Sequence, residues 1–338
     1  MKNQKIAIIL MNLGGPDRLQ AIRPFLYGLF SDKRIIDLPA PLRQLVAWII
    51  STSRAPKVAP LYAEMGGGSP ILPNTMAQAA ALENALGEGA KVFIAMRYWH
   101  PFSDETARAV KEYAPDEIVL LPLYPQFSTT TTASSLAVWR KAAKKAGLAA
   151  PTRTICCYPA QAGFIAAMAE LIRPLYDAAP IKPRILFSAH GLPEKIIRKQ
   201  GDPYVKQIEM TAAAIVAKLA IPGLDWKVTY QSRVGPVEWV KPYTDREIIA
   251  AGAEGKALLV APIAFVSEHI ETLVELDIEN RRLALDSGCS GYGRAPTVSV
   301  HPAFIQGLAD LVRASEKTCA PDGGKRLCPA ACSGCICL

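Results

Sequence analysis

Short apolar runs alternate with segments of helical periodicity along almost the whole chain, and this alternation limits the possible folds more than any other feature. The sequence predicts strands at residues 5–13, 91–99, 117–123, 152–157, 184–190, 226–231, 256–261 and 297–300. Helical patterns lie between most of them, for example at 104–113, 134–146, 160–176 and 203–220. Strands that are each followed by a helix are typical of parallel sheets covered by helices, so we expect an α/β fold.

The chain has 338 residues, which is long for one hydrophobic core and sufficient for two domains. The run IVLLPLYPQFS at 118–128 resembles LLVAPIAFVSE at 258–268 in kind, so the two halves echo each other. We therefore expect two similar βαβ domains with parallel sheets that face each other across a cleft. The expected bounds are 1–150 and 151–316, with an excursion at 39–73 and a cysteine-rich tail at 317–338.

The composition is that of a compact soluble protein, with 50% hydrophobic and 20% charged residues. The apolar runs are far shorter than the ~20 residues of a membrane span, and the N-terminus shows no signal peptide, so we expect a cytoplasmic protein. The net charge of +8 favours acidic partners. Because no basic run of five residues accompanies it, we do not expect nucleic-acid binding. No G-x-G-x-x-G motif supports a dinucleotide site.

Three carboxylates, Glu271, Glu275 and Glu279, follow the apolar run at 256–261 at steps of four residues. Residues at this spacing lie along one helix face, where like charges repel each other by about 0.2–0.5 kcal/mol per pair. The row is either a solvated acidic face or a path for protons or a divalent cation. Its expected place, at the carboxyl end of a sheet strand, is where open α/β proteins bind ligands.

His190 ends the predicted strand at 184–190 and should project from the same edge of a sheet. A lone histidine is commonly structural, whereas this position favours a role in binding or catalysis. His269 is expected on a different helix face from Glu271. Several aromatic residues are expected at the same edge of the sheets. Each alone could be a core residue, but together they suit a large flat apolar ligand: Tyr98, Trp99, Tyr124, Phe127, Trp239 and Phe265.

Two other segments allow alternative interpretations. The excursion at 39–73 carries six prolines and an apolar patch at 45–50 beside Arg43 and Arg54, and it is either a membrane-touching lip of an apolar pocket or an ordinary core helix. Seven hydroxyl side chains lie within 128–135, at the start of a predicted helix. Helix capping accounts for one or two of them, and an anion could use more.

Several motifs, taken together and in order, resemble the ferrochelatase family: MNLGGP at 11–16, GGGSP at 66–70, LYPQFS at 123–128, FSAHGLP at 187–193 and PIAFVSEHIETLVELDIE at 262–279. They span almost the whole chain. The resemblance implies two Rossmann-like domains without a nucleotide. It also implies a lyase that inserts Fe²⁺ into protoporphyrin IX in the last step of haem biosynthesis.

The resemblance further implies roles for individual residues. His190 and Glu271 are expected to form the central catalytic pair, and Glu275 and Glu279 to continue a path for the substrate iron or for protons. Residues 45–50 correspond to a lip that grips the ring and, in some members, rests on the membrane. The residues expected to bind the porphyrin are Leu13, Tyr62, Arg97, Tyr98, Tyr124, Trp239 and Phe265.

Five of the eight cysteines fall in the last 20 residues, with the spacing C-x8-C-x3-C-x2-C-x-C. From spacing alone a 2Fe–2S cluster, a zinc site and a redox-labile tail are all open. The resemblance favours the cluster, since the family includes members that carry one at this end. Thr129 stands where animal members have an internal cysteine ligand, so the expected ligands are Cys157 (or Cys156), Cys328, Cys335 and Cys337, with Cys319 and Cys332 as spares.

Rival functions are a chelatase for coproporphyrin or for cobalt or nickel in another tetrapyrrole, and a non-catalytic haem-binding or Fe–S sensing protein. The expected partners are protoporphyrin IX, Fe²⁺ and the inner face of the cytoplasmic membrane, where the protein would be peripheral. The sequence does not distinguish a monomer from a homodimer.

Overall fold

A computed structural model describes residues 4–235 and 237–314, which form two parallel four-stranded sheets. The strand order is β2-β1-β3-β4 in the first sheet and β6-β5-β7-β8 in the second. The strands are β1 (Ile6–Asn12), β2 (Ala90–Met96), β3 (Glu117–Pro122), β4 (Thr152–Thr154), β5 (Arg184–His190), β6 (Trp226–Gln231), β7 (Ala257–Pro262) and β8 (Gly291–Arg294). The predicted α/β fold with two similar parallel sheets is confirmed.

Helices connect the strands and cover the sheets. They are α1 (Ile22–Phe30), α2 (Ala40–Glu64), α3 (Ile71–Leu86), α4 (Ser103–Tyr113), α5 (Thr132–Ala146), α6 (Ala162–Ala178), α7 (Glu194–Gln200), α8 (Tyr204–Leu219), α9 (Thr244–Ala253), α10 (Asn280–Asp286) and α11 (Pro302–Ala314). A 3₁₀ turn (Leu19–Ala21) precedes α1, and a π-helix (Glu271–Glu279) precedes α10.

The two runs that echo each other in sequence occupy equivalent places, because β3 and β7 are each the third strand of their sheet. Two predicted strands differ from the structure. The segment at 152–157 contributes only β4, which pairs with β3 and so completes the first sheet. The segment at 297–300 is not a strand, since Ser299 has φ +40°, outside the extended region, and β8 takes the place beside β7.

The central strands are apolar on both faces because helices cover both sides of each sheet. All six residues of β7 are buried, as are six of the seven in β5. One hydrophobic core runs through both sheets and includes Ile8 and Leu10 of β1 together with Ile185 and Phe187 of β5. The two halves therefore share an interior.

Buried hydrogen bonds also join the halves. The Gln126 amide donates to Thr211 Oγ1 (2.9 Å) and to the carbonyl of Ile263 (3.0 Å). The Gln78 amide donates to the carbonyl of Val266 (2.8 Å) and accepts from Ser267 Oγ (3.0 Å). Such bonds are costly to leave unmade in an interior, so they hold the sheets in one relative position.

The excursion at 39–73 contains the long helix α2, which packs chiefly against α1. On its outer side, Leu45, Trp48 and Ile49 are each more than half exposed (53%, 51% and 51%). The interpretation as an ordinary core helix is therefore wrong, and α2 forms a lip with an apolar outer face. Among the described residues, no helix combines the length and apolar character that crossing a membrane would require.

Candidate active site

A cleft of about 1710 Å³ lies at the carboxyl ends of both sheets. Leu13 and Arg97 come from the ends of β1 and β2, and His190 and Gln231 from the ends of β5 and β6. Parallel strands deliver their last residues to one edge, which explains why side chains distant in sequence meet here. The lip helix α2 contributes Tyr62, so the cleft has walls from both halves and from the excursion.

His190 and Glu271 form a hydrogen-bonded pair in this cleft. His190 is the last residue of β5, and its Nδ1 lies 2.9 Å from Glu271 Oε2. The two side chains are 36% and 24% exposed, so both can meet a ligand. Tyr204 donates its hydroxyl proton to the backbone carbonyl of His190 (3.0 Å), and the Trp239 ring stands edge-on to the imidazole at 6.2 Å. The structure thus brings together the two residues predicted as the central pair.

The electrostatics of the pair favour its charged form. Burial alone would lower the pKa of His190, but the charge and hydrogen bond of Glu271 outweigh it and the pKa is raised. Burial would likewise raise the pKa of Glu271, yet His190 and His269 hold it well below its usual range. Glu275 differs, since burial and the neighbouring charge of Glu271 raise its pKa despite two bonds from Ser232. Neighbouring carboxyls in this row therefore differ in proton affinity.

The helix that carries the row is a π-helix rather than the α-helix implied by the spacing. Its backbone bonds span five residues, as from the N–H of Asn280 to the carbonyl of Glu275. Residues four apart remain close to one face, so Glu271 and Glu275 both line the cleft, and Glu279 continues the row at an exposed position. The inner two carboxylates are partly buried, so the interpretation as a simply solvated face is wrong for them.

His269 lies nearer to Glu271 than expected. Its Nε2 is 3.9 Å from Glu271 Oε2, and its Nδ1 lies 3.1 Å from the carbonyl of Ser267. The prediction assumed one continuous helix through both residues, whereas His269 precedes the π-helix and its buried ring turns back toward the carboxylate. Glu271 is therefore flanked by two imidazoles.

The sequence analysis missed Ser232 and Gln231, which lie at the end of β6 and line the cleft. The backbone N–H of Ser232 donates to Glu275 Oε1 at 2.8 Å, and its hydroxyl donates to Glu275 Oε2 at 2.5 Å and lies 3.2 Å from Glu271 Oε2. The Gln231 amide donates to Glu275 Oε2 at 3.1 Å. The only sequence signal was their place at a strand end in the second sheet.

The remaining predicted ligand-binding residues all line the cleft: Leu13, Tyr62, Arg97, Tyr98, Tyr124, Trp239 and Phe265. The other two aromatic candidates, Trp99 and Phe127, do not line the cleft, because they are buried in the interior.

Arg97 is held by an acidic partner that the sequence analysis did not identify. Asp32 Oδ2 accepts hydrogen bonds from Arg97 Nη2 (2.6 Å), the Tyr98 hydroxyl (2.8 Å) and the Ser134 hydroxyl (2.6 Å). These bonds and the charge of Arg97 lower the pKa of Asp32 although burial opposes the shift. The positive charge of Arg97 is therefore already paired.

The hydroxyl run at 128–135 also binds carboxylates of the protein. Ser128 Oγ and Thr129 Oγ1 donate to Asp202 Oδ2 at 2.9 and 2.8 Å, and the Thr129 backbone N–H donates to the same oxygen at 2.7 Å. Asp202 in turn accepts from the backbone N–H of Tyr204, at the start of α8. Part of the run thus joins the first half to the second.

Cys156 and Cys157 are buried just beyond β4, at 1% and 3% exposure. The Gln207 amide donates to Cys157 Sγ at 3.4 Å. The other expected cluster ligands, Cys328, Cys335 and Cys337, lie outside the described residues, as do Cys319 and Cys332. Within 4–235 and 237–314, no three His, Cys, Asp or Glu side chains are grouped as a metal site.

A sequence model of the family described as Ferrochelatase matches residues 5–316. The chain belongs to the ferrochelatase family. A ferrochelatase of Caulobacter vibrioides (strain NA1000 / CB15N) is 55% identical over 319 residues, which cover 92% of this chain and 90% of that protein. Ferrochelatases of Phenylobacterium zucineum and Rickettsia bellii (strain OSU 85-389) are 52% and 47% identical, and the matches cover 98% and 100% of this chain and 98% and 96% of those proteins. These relatives confirm the predicted family and enzyme class.

Solved structures are similar to this ferrochelatase-family chain at the level of fold. CbiX, described as the terminal enzyme for biosynthesis of siroheme in denitrifying bacteria, has a TM-score of 0.50 and 15% identity, and the match covers 93% of this chain and 100% of that one. SirB from Bacillus subtilis with Fe³⁺ has a TM-score of 0.52 and 12% identity, with 92% and 96% covered. At these identities the likeness confirms the chelatase-like architecture alone.

Proposed function

We propose that this ferrochelatase-family chain inserts Fe²⁺ into protoporphyrin IX and releases the two pyrrole protons, the last step of haem biosynthesis. The observation that carries the proposal is the His190–Glu271 pair on the wall of a cleft lined by aromatic side chains. Family membership supports the activity independently. The relatives reported above are all named ferrochelatases, so they favour this activity over a cobalt or nickel chelatase.

In this proposal His190 is the base that accepts a pyrrole proton. Glu271 holds Nδ1, so Nε2 is the nitrogen left for the substrate, and no described residue forms a hydrogen bond with it. The second carboxylate neighbour, Glu275, has the higher proton affinity of the two glutamates and can receive a proton from the pair. Glu279 lies at the exposed end of the row. We assign the row to the passage of protons or iron between the pair and solvent.

The aromatic and aliphatic walls would bind the macrocycle. A flat porphyrin hides its nitrogen lone pairs, and contacts along its faces and edges can supply the energy that bends it toward the geometry required for metal entry. Tyr62 from the lip helix and Trp239 from the second half are each mostly buried and therefore fixed in place. We assign this role to Leu13, Tyr62, Arg97, Tyr98, Tyr124, Trp239 and Phe265.

A 2Fe–2S cluster is proposed for the tail, held by Cys328, Cys335 and Cys337 together with Cys157 or Cys156. Four thiolates are the usual ligands of such a cluster. Cys156 and Cys157 are buried in the folded part of the chain, so a bond from either sulfur to the cluster would anchor the tail there. In the cluster, Gln207 would remain a hydrogen-bond donor to the Cys157 sulfur. Through its cysteine ligands, the cluster would cross-link the tail to the folded part of the chain.

We propose the domains expected from the sequence, 1–150 with the lip excursion, 151–316 with His190 and the π-helix, and a tail at 317–338, with one change to the first boundary. Since β4 belongs to the first sheet, the crossing between domains is best placed after Thr154. We also propose a cytoplasmic enzyme that is peripheral on the membrane, because the outer face of α2 is apolar.

The test mixes anaerobically purified protein with protoporphyrin IX and Fe²⁺ and follows the porphyrin absorption spectrum. Conversion to the haem spectrum is expected, and coproporphyrin and Co²⁺ serve as competing substrates. Porphyrin binding without any metal insertion would replace the proposal with a haem-binding function. Preferred turnover of coproporphyrin or Co²⁺ would replace the substrate while retaining the chelatase.

A further inference from the structure

Four of the five carboxylates from Glu268 to Glu279 fall into two pairs with different partners, and the fifth, Glu279, lies at the exposed end of the row. Glu271 and Glu275 line the cleft and bind His190 and Ser232. Glu268 and Asp277 do not line it, and both bind the guanidinium of Arg294 on β8 instead. The first pair thus contacts residues at the ends of β5 and β6, and the second pair contacts β8.

Arg294 uses all three guanidinium nitrogens in this contact. Nε and Nη2 form a fork onto Asp277 Oδ1 (2.7 Å) and Oδ2 (2.6 Å), and Nη1 reaches Glu268 Oε1 (3.0 Å) and Oε2 (3.1 Å). The arginine side chain is only 9% exposed. A planar, buried guanidinium bound at both edges allows little rotation of its partners, which a lysine ammonium would not reproduce.

The same strand also holds the backbone of the π-helix. Tyr292, two residues before Arg294 on β8, donates its hydroxyl proton to the carbonyl of Leu276 (2.6 Å). Arg281, just beyond the π-helix, donates to the carbonyl of Asp277 (3.2 Å) and to that of Tyr292 (3.1 Å). β8 therefore contacts the π-helix through the Asp277 carboxylate and the Leu276 carbonyl, and it contacts the segment before the helix through Glu268.

We propose that Arg294 is a positioning residue that fixes the rotation of the π-helix, so that Glu271 and Glu275 reach His190 and Ser232. π-helical turns are rare and depend on their surroundings. Reversion of one such turn to α-helix would shift the following residues by roughly one position and turn Glu275 away from Ser232. The inference rests on the proposed function and deepens it.

The test compares Arg294→Gln and Arg294→Lys with Arg282→Gln as a matched control. Arg282 lies on the adjacent helix α10, is 85% exposed and pairs only with Asp286 among the described residues. The measurements are kcat and KM for insertion, the porphyrin dissociation constant and stoichiometry from fluorescence quenching, and amide hydrogen exchange across 271–279.

For Arg294→Gln, kcat should fall about 10- to 100-fold because the reacting groups are misplaced. Porphyrin affinity and stoichiometry should stay within about twofold, since the ring-binding walls are untouched. Exchange across 271–279 should accelerate. Arg294→Lys should recover part of kcat, and Arg282→Gln should match the wild type.

If Arg294 only stabilised the fold, its substitution would reduce the porphyrin stoichiometry in step with kcat. A folded Arg294→Gln protein with wild-type kcat and wild-type amide exchange would overturn the proposal. If Arg294→Gln does not fold, Tyr292→Phe is the second variant, because it removes only the hydroxyl bond to Leu276. This variant should still lower kcat and accelerate amide exchange. No change in either measurement would also overturn the proposal. If the wild type inserts no metal, the proposed function fails, while the exchange comparison still decides whether Arg294 holds the helix.

Discussion

At the scale of single residues, the candidate chemistry depends on how His190 and Glu271 share a proton. The raised pKa of the imidazole and the lowered pKa of the carboxyl both favour the ion pair. An imidazolium cannot accept a pyrrole proton, so His190 must first lose its own. Glu271 thus orients the base and also delays its deprotonation to higher pH.

We expect kcat/KM to rise with pH through an apparent pKa above the ordinary histidine value of about 6.5. Glu271→Gln removes the charge that raises the pKa of His190 and leaves burial, which lowers it, so the acid limb should move to lower pH while the maximal rate falls. Glu279→Gln, at the exposed end of the row, is the control and should leave the limb in place. A Glu271→Gln profile that keeps the wild-type limb would contradict this coupling.

His190→Ala should abolish nearly all insertion while porphyrin still binds, because the imidazole is only one part of a large apolar cleft. Insertion is measured from the porphyrin spectrum and binding from fluorescence quenching. His100→Ala is the matched control, since the His100 side chain is 55% exposed and pairs with Glu105 away from the cleft. Retained turnover in His190→Ala would remove this residue from the mechanism.

At the scale of elements, the lip helix α2 has two different sides and packs chiefly against α1. Its inner side supplies Tyr62 and Val58 to the cleft, and its outer side exposes Leu45, Trp48 and Ile49. One helix therefore links the wall of the cleft to an apolar surface. Apolar faces of this kind, next to basic residues, bind anionic lipid surfaces.

The protein should sediment with vesicles containing anionic lipid at low ionic strength and be released by salt. Trp48→Ser with Ile49→Ser should reduce the bound fraction severalfold, because both side chains are half exposed and can enter the interface. Leu285→Ser, on a helix of the second half and 57% exposed, is the control. Equal sedimentation of all three proteins would exclude this face as the lipid contact.

At the scale of the whole molecule, the proposed cluster would tie the last residues of the chain to the buried turn after β4. Cys335→Ser should yield protein with less bound iron and sulfide, a bleached visible spectrum and a lower Tm, since a ligand and the closure it makes are lost. Cys289→Ser is the control, as Cys289 is buried among apolar side chains in the second half. Unchanged iron and sulfide in Cys335→Ser would reject the ligand assignment.

Much of the molecule was predictable because its signals are local. The apolar runs located seven of the eight strands, and position at a strand end located His190 and the acidic row. The π-helix was not predictable, since residues four apart share a face in either kind of helix. Arg97 is 65 residues from Asp32, Glu275 is 43 residues from Ser232, and Asp277 and Glu268 are 17 and 26 residues from Arg294, so no local spacing in the sequence marks these contacts.

The buried bonds of Gln78, Gln126 and Asp202 between the halves have a consequence for how substrate enters. Closure of the two halves about a hinge would require their interface to slide, and sliding would separate the Gln78 and Gln126 amides from their acceptors and the Asp202 carboxylate from its donors. The two sheets are therefore expected to keep one relative position when substrate binds. We therefore expect any opening of the cleft to involve α1 and α2, which pack chiefly against each other, so that a porphyrin would enter past these two helices into a site whose other walls stay in place.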